Sequence, residues 1–156
     1  MDRHELIVNP AAGTSGDARA VGRAQEELIR RISAHRGDLS LVPDEKISLN
    51  EIRRISLPLY GMTTWGDMFS NRQHLALTTV ARMVRELSSK QTLASAPPIP
   101  SVVLGTLLAL VVDRLSDSLS SSVTWTPGGE FQGHTFARQA LAFVSDFAEV
   151  NPWCDS

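Results

Sequence analysis

The chain has 156 residues, a formal net charge of -2 and a pI of about 6.1, so its length suits one domain and its charge argues against nucleic-acid binding through bulk electrostatics. Any DNA contact must be local. Its one cysteine, Cys154, excludes an internal disulfide and a zinc site made of cysteines alone, and such sparse usage suits a reducing cytoplasm, the expected location.

Met1-Asp-Arg-His-Glu-Leu-Ile-Val8 has acids at Asp2 and Glu5 and no apolar run of signal-peptide length, so no export is expected. Residues 14–35 carry the first helical spacing. Ala18, Val21, Leu28, Ile29 and Ile32 share one side, while Glu26/Arg30 and Glu27/Arg31 lie four apart on the other. Thr14, Ser15 or Asp17 is placed to cap the start and Gly37 to mark the end. Gly22 weakens this helix by about 1 kcal/mol relative to alanine. Ser40 to Pro58 shows proline punctuation and no period, and we expect an extended connector there.

The second helix is the best specified. Ser70 and Gln73 have the spacing of a capping box, in which the hydroxyl accepts from the backbone three residues on and the amide side chain reaches back. Ala76, Leu77, Val80, Met83, Val84 and Leu87 then form one apolar face, predicting a helix from Asn71 to Lys90. Gln91 to Ser101, with Pro97, Pro98 and Pro100, cannot continue it and reads as a linker. Val102 to Val112 is the longest apolar run, about half the ~20 residues needed to cross a bilayer, so no membrane partner is expected. It opens a third helix, predicted over 102–119, whose apolar first half is expected to lie in the core. Trp125, then Pro127-Gly-Gly129, then Phe131 predict a short hairpin with the Pro-Gly pair in a type II turn. Phe136, Ala140, Phe143, Val144 and Phe147 are spaced as a fourth helical stripe that Asn151-Pro152 ends.

Few side chains stand at spacings that carry chemistry. His4, His35, His74 and His134 are scattered without helical pairing, so no metal site is expected. No Gly-x-Ser-x-Gly elbow is present to seat a nucleophile. Arg72 and Gln73 sit in the first turn of the second helix, and Arg138 and Gln139 repeat the pair near the start of the fourth stripe. A helix start offers free backbone donors to a phosphate, and Arg and Gln can address a base edge, so these four residues are the nucleic-acid candidates. Caps and inter-segment ion pairs explain them equally, and local chemistry favours that plainer reading. Trp65, Trp125 and Trp153 suit packing better than stacking on bases.

Longer stretches carry a resemblance. Val42-Pro-Asp-Glu45, Tyr60-Gly-Met-Thr63, Asp67-Met-Phe-Ser-Asn-Arg-Gln73, Asp113-Arg-Leu115, Gly133-His-Thr-Phe-Ala-Arg-Gln-Ala-Leu141 and Asp146-Phe-Ala-Glu-Val-Asn-Pro152 resemble, in order, the middle of the large prokaryotic adenine-specific DNA methylases that carry an N-terminal domain of unknown function. The family usually has Thr-Pro where this chain has Ser70-Asn71, a change that keeps the cap, and a cysteine-containing stretch where this chain has Ser118-Leu-Ser-Ser-Ser-Val123. The resemblance implies a mainly α helical piece of a larger α/β methyltransferase, with 1–39 as an N-terminal helical segment and 40–156 as a methylase-like central region with a linker near 91–101. It further implies a parent enzyme that uses S-adenosylmethionine to methylate DNA adenine at N6, in restriction or phage defence, with DNA and the rest of the methylase polypeptide as partners.

The catalytic Asp/Asn-Pro-Pro-Tyr/Phe motif is missing: Ala96-Pro-Pro-Ile99 lacks acceptor and aromatic, and Asn151-Pro-Trp153 lacks the second proline. No catalytic residue and no cofactor of its own are therefore expected, and the chain is expected to be inert alone, with self-association through apolar surface around Phe143, Phe147 and Trp153. Two other classes compete. Leu6-Ile-Val8 followed by Asn9-Pro-Ala-Ala-Gly-Thr-Ser-Gly16 resembles the nucleotide loop of diacylglycerol-kinase-like lipid kinases, although their downstream Gly-Gly-Asp-Gly-Thr is absent. A stand-alone helical interaction module is the third.

Overall fold

The computed structural model describes residues 15–89, 101–149 and 151, and in it the chain is mainly helical with one two-stranded antiparallel hairpin. The helices are α1 (Ser15–Ala34), α2 (Asn71–Ser89) and α3 (Ser101–Ser118), and the hairpin pairs β1 (Trp125–Thr126) with β2 (Phe131–Gln132). All four elements fall within a residue or two of the spacing-based expectation. Helix α2 packs against both α1 and α3. Ala24 and Leu28 are the buried residues of α1, and Arg31 crosses to α2, donating to Thr79 Oγ1 at 2.6 Å. Glu27 accepts from Arg30 and from Arg31, each at 2.7 Å, so Arg30 turns to Glu27 rather than to the expected Glu26. Those two guanidiniums pull the Glu27 carboxyl from 4.5 down to about 2.

A buried core cluster draws on the segment expected to be an extended connector and on the residues just after it. Ile47, Leu57 and Met68 are buried together, with Leu57 at 0 % and Met68 at 1 % exposure, and Ile55, Met62, Trp65, Phe69 and Leu141 pack around them. Short 3-10 turns at Leu49–Glu51, Leu57–Tyr60 and Trp65–Met68 fold the chain back on itself, so its apolar residues converge without any helical or strand period. Two glycines permit this. Gly61 closes the second turn at φ +89°, a left-handed conformation that side chains resist. At Gly66 an added Cβ would stand 2.4 Å from the Pro43 carbonyl oxygen.

Three further expectations are corrected. No fourth helix forms over 136–147, because the backbone there is bonded elsewhere: Phe136 N–H to the Asp117 carboxylate at 2.8 Å, Leu141 N–H to Arg54 O at 2.7 Å and Ala148 N–H to Val123 O at 2.9 Å. The apolar half of α3 is not core. Val102 (76 % exposed), Leu107, Leu110 and Val111 face outward, while the buried end is the following turn, where Leu119, Ser120, Ser121 and Val123 close on the rest of the fold. Among the described residues only α2 lies along α3, which covers one side of a helix that is apolar on several. In the hairpin, Gly129 N–H bonds Thr126 O at 3.3 Å and the positive φ (+51°) falls on Glu130 instead of Gly128, so the turn is not type II.

Candidate functional site

The start of α2 is where two of the stretches quoted above, 67–73 and 146–152, meet. Ser70 N–H donates to Gln73 Oε1 at 2.8 Å and Gln73 N–H donates to Ser70 Oγ at 3.3 Å, the reciprocal capping box expected from the spacing. Gln73 is only 2 % exposed, and its Nε2 is buried with no partner among the described residues. Arg72 forms an ion pair with Glu149, and Ser70 Oγ donates to the other oxygen of the same carboxylate at 3.1 Å. Glu149 is the more buried partner of that pair. Both members of the first Arg-Gln pair are thus engaged within the fold, as cap and as ion pair.

One turn earlier, Asp67 clasps the loop that leads into α2. Its carboxylate accepts from the backbone N–H groups of Thr63 and Thr64, at 2.7 and 2.8 Å, and the Thr64 bond does most to hold it below the usual carboxylate range. Thr64-x-x-Asp67 has capping-box spacing around a 3-10 turn, a signal that helix periodicity passes over. His74 lies on the inner side of α2 with Nε2 at 2.9 Å from Gly66 O. A carbonyl only accepts, so Nε2 carries the proton. Burial pushes this imidazole below 6.5, against the opposing pull of the Gly66 carbonyl and the Asp67 carboxylate.

Above pH ~6.5 the His74 ring is neutral whether the chain is folded or not, and below it the unfolded state takes up a proton first, so stability falls as pH drops toward the depressed folded value. Thermal melts between pH 7.5 and 5.5 should show a decline that His74→Gln flattens. An equally steep decline in the variant would assign it to other groups.

The second Arg-Gln pair is placed quite differently. Arg138 and Gln139 are exposed and stand on no helix. They ride an arch anchored at both feet. At one foot, Thr135 N–H and Oγ1 donate to Asp117 O at 2.9 and 2.7 Å, and Ser120 Oγ lies 2.7 Å from Thr135 Oγ1. At the other, Leu141 pairs with Ile55 in an isolated parallel bridge, with Ser56 N–H donating to Leu141 O at 3.0 Å. Asp117 is the organiser here, since Oδ2 also meets Arg114 Nη1 and His134 Nδ1, each at 3.0 Å. No ion pair engages Arg138 among the described residues.

The remaining candidates do not assemble. Among the described residues no three His, Cys, Asp or Glu side chains come together as metal ligands, and no helix is long and apolar enough to cross a membrane. His4, Trp153, Cys154 and most of the 9–16 loop lie outside the described residues. Trp65 packs on the core, and Phe143 stacks on Tyr60 with ring centroids 4.5 Å apart. Outward apolar side chains recur along α3, joined by Met83 and Leu87 of α2, while Phe143 is also exposed and Phe147 is half-buried. Compared with protein-family models, curated proteins and solved structures, the chain gives no match.

Proposed function

We propose that this chain is the helical, non-catalytic part of an S-adenosylmethionine-dependent DNA adenine-N6 methyltransferase, inert alone and serving as scaffold and DNA-recognition surface. One observation supports this above the rest. Two stretches far apart in the sequence that resemble the methylases, 67–73 and 146–152, meet at one junction where Ser70 and Arg72 share the Glu149 carboxylate, and beside it Met68 O accepts both Ser121 N–H (2.7 Å) and Ser121 Oγ (2.8 Å) from the stretch that departs from the family. A long, non-periodic spelling is what such a junction demands, since each residue answers to a partner rather than to a helix face.

In this reading Arg72 and Gln73 hold the scaffold, while DNA contact belongs to Arg138 and Gln139 on their anchored arch. The outward apolar side of α3 is where the remaining methylase polypeptide would lie. S-adenosylmethionine would bind elsewhere in the parent, because no glycine-rich loop follows a parallel-sheet strand among the described residues. Calorimetry on this chain should give no saturable heat with S-adenosylmethionine, and micromolar binding would overturn that assignment. The coding sequence tests the whole reading. A frame that runs on from Ser156 into Asp-Pro-Pro-Tyr or a close variant supports it, and a stop codon with no adjoining frame defeats it.

A further inference from the structure

The paired helices α2 and α3 have one polar flank and one apolar flank. Gly105 approaches Ser88 so closely that an added Cβ would stand 3.1 Å from its hydroxyl, while Ala81 and Val112 line the same groove further along, so the two helices run antiparallel. That groove also takes Arg85, Ser89 and Asp113. Helical spacing puts Met83 and Leu87 on the opposite flank of α2, beside Leu107 and Val111 of α3, and Val103 and Leu110 continue that surface outward. Each of these side chains is between 46 % and 58 % exposed. No charged residue interrupts α3 from Val102 to Val112, and the hydroxyl within that run, Thr106 Oγ1, already donates to Val102 O at 2.8 Å. At the edges Arg82 pairs with Glu86 and Arg114 with Asp117, each at 3.0 Å. Covering this face therefore strands neither a charge nor a hydrogen-bonding group.

An aliphatic face of this kind, on the order of 600 Å², stands at the upper end of what a monomer leaves in water and nears the roughly 800 Å² that each partner gives to a stable interface. Its occupant must be equally aliphatic and equally free of charge, and the same face on a second copy meets both conditions. Arg114 decides the orientation. Parallel copies would set Arg114 against Arg114 at the end of the seam, whereas antiparallel copies centred on Leu107 hold the two roughly 20 Å apart, about two Debye lengths or more in physiological salt. We propose that a second copy of this chain covers this face, with the two α3 helices antiparallel, Val103 opposite Val111, and Met83 and Leu87 closing the sides of a four-helix arrangement. This pairing belongs to the chain on its own and does not rest on the methylase reading, in which the parent's polypeptide would lie on the same side.

Sedimentation equilibrium of the whole chain over a range of concentrations is the test. A monomer–dimer equilibrium is expected, and Leu107→Glu should raise its dissociation constant about tenfold or more, with the helical circular dichroism unchanged because position 107 faces outward. Ile29→Glu, on an exposed side of α1, should leave the equilibrium within about twofold of the parent. Val103→Glu and Val111→Lys should each weaken the dimer alone. Mixing those two variants should restore it, because antiparallel pairing brings positions 103 and 111 together across the seam and parallel pairing does not. A chain that stays monomeric at every concentration, or a dimer that Leu107→Glu leaves intact, would overturn the proposal and leave the face to another polypeptide. Weakening by both variants without recovery on mixing would overturn the antiparallel pairing.

Discussion

Leu57→Ala should be the most damaging single truncation in this chain, at about 2–5 kcal/mol, because Leu57 is fully buried between Ile47 and Met68 and its loss leaves a cavity that the 3-10 turns cannot readily close. With total stability of order 5–15 kcal/mol, that is a large fraction. Melting temperature should fall by roughly 10 °C. Leu59→Ala is the matched control, two residues along the same turn and largely exposed, and should change stability by no more than about 0.5 kcal/mol. Urea denaturation of the two variants checks this, and comparable losses would mean that the core lies elsewhere.

The second large effect is expected at the junction that closes α2. Arg72→Ala leaves the mostly buried Glu149 carboxylate with Ser70 Oγ as its remaining side-chain partner, and should cost about 1–3 kcal/mol, less than a fully buried pair because Arg72 keeps part of its surface in water. Glu149→Gln lowers that penalty by removing the charge. A double-mutant cycle over Arg72→Ala and Glu149→Gln should return a coupling of about 1 kcal/mol, measured from denaturation midpoints. Additive losses would show that the two side chains stabilise the fold independently.

What could be read from the sequence was what short range decides. The helices over 15–34, 71–89 and 101–118 followed their three-and-four spacing, the Ser70/Gln73 cap its i to i+3 chemistry, and the hairpin its Pro-Gly signal. Long-range partners were hidden. Phe136, Ala140, Phe143, Val144 and Phe147 have helical spacing, yet Asp117, Arg54 and Val123 claim the backbone around them, and nothing near those residues announces the claim. The same holds for Ile47 and Leu57, which reach the core through irregular turns, and for Glu149, which lies 77 residues from Arg72. The apolar run of α3 misled in the opposite direction. Hydrophobicity said that this surface wants cover, and only the packing shows which side receives it. For the site, Arg72 and Arg138 looked equivalent as first members of Arg-Gln pairs, and their surroundings separate them.

One paired measurement tests that separation most directly: thermal melting together with low-salt duplex-DNA anisotropy for Arg72→Ala and Arg138→Ala. Binding by the unaltered chain should be weak and disappear toward physiological salt, as a net charge of -2 requires. Arg138→Ala should lose several-fold in DNA affinity while melting within about 1 °C of the parent, since its exposed side chain makes no ion pair among the described residues. Arg72→Ala should melt several degrees lower and, while folded, bind DNA as before. Loss of DNA binding in Arg72→Ala without a change in melting, or intact binding in Arg138→Ala, would contradict this division of roles.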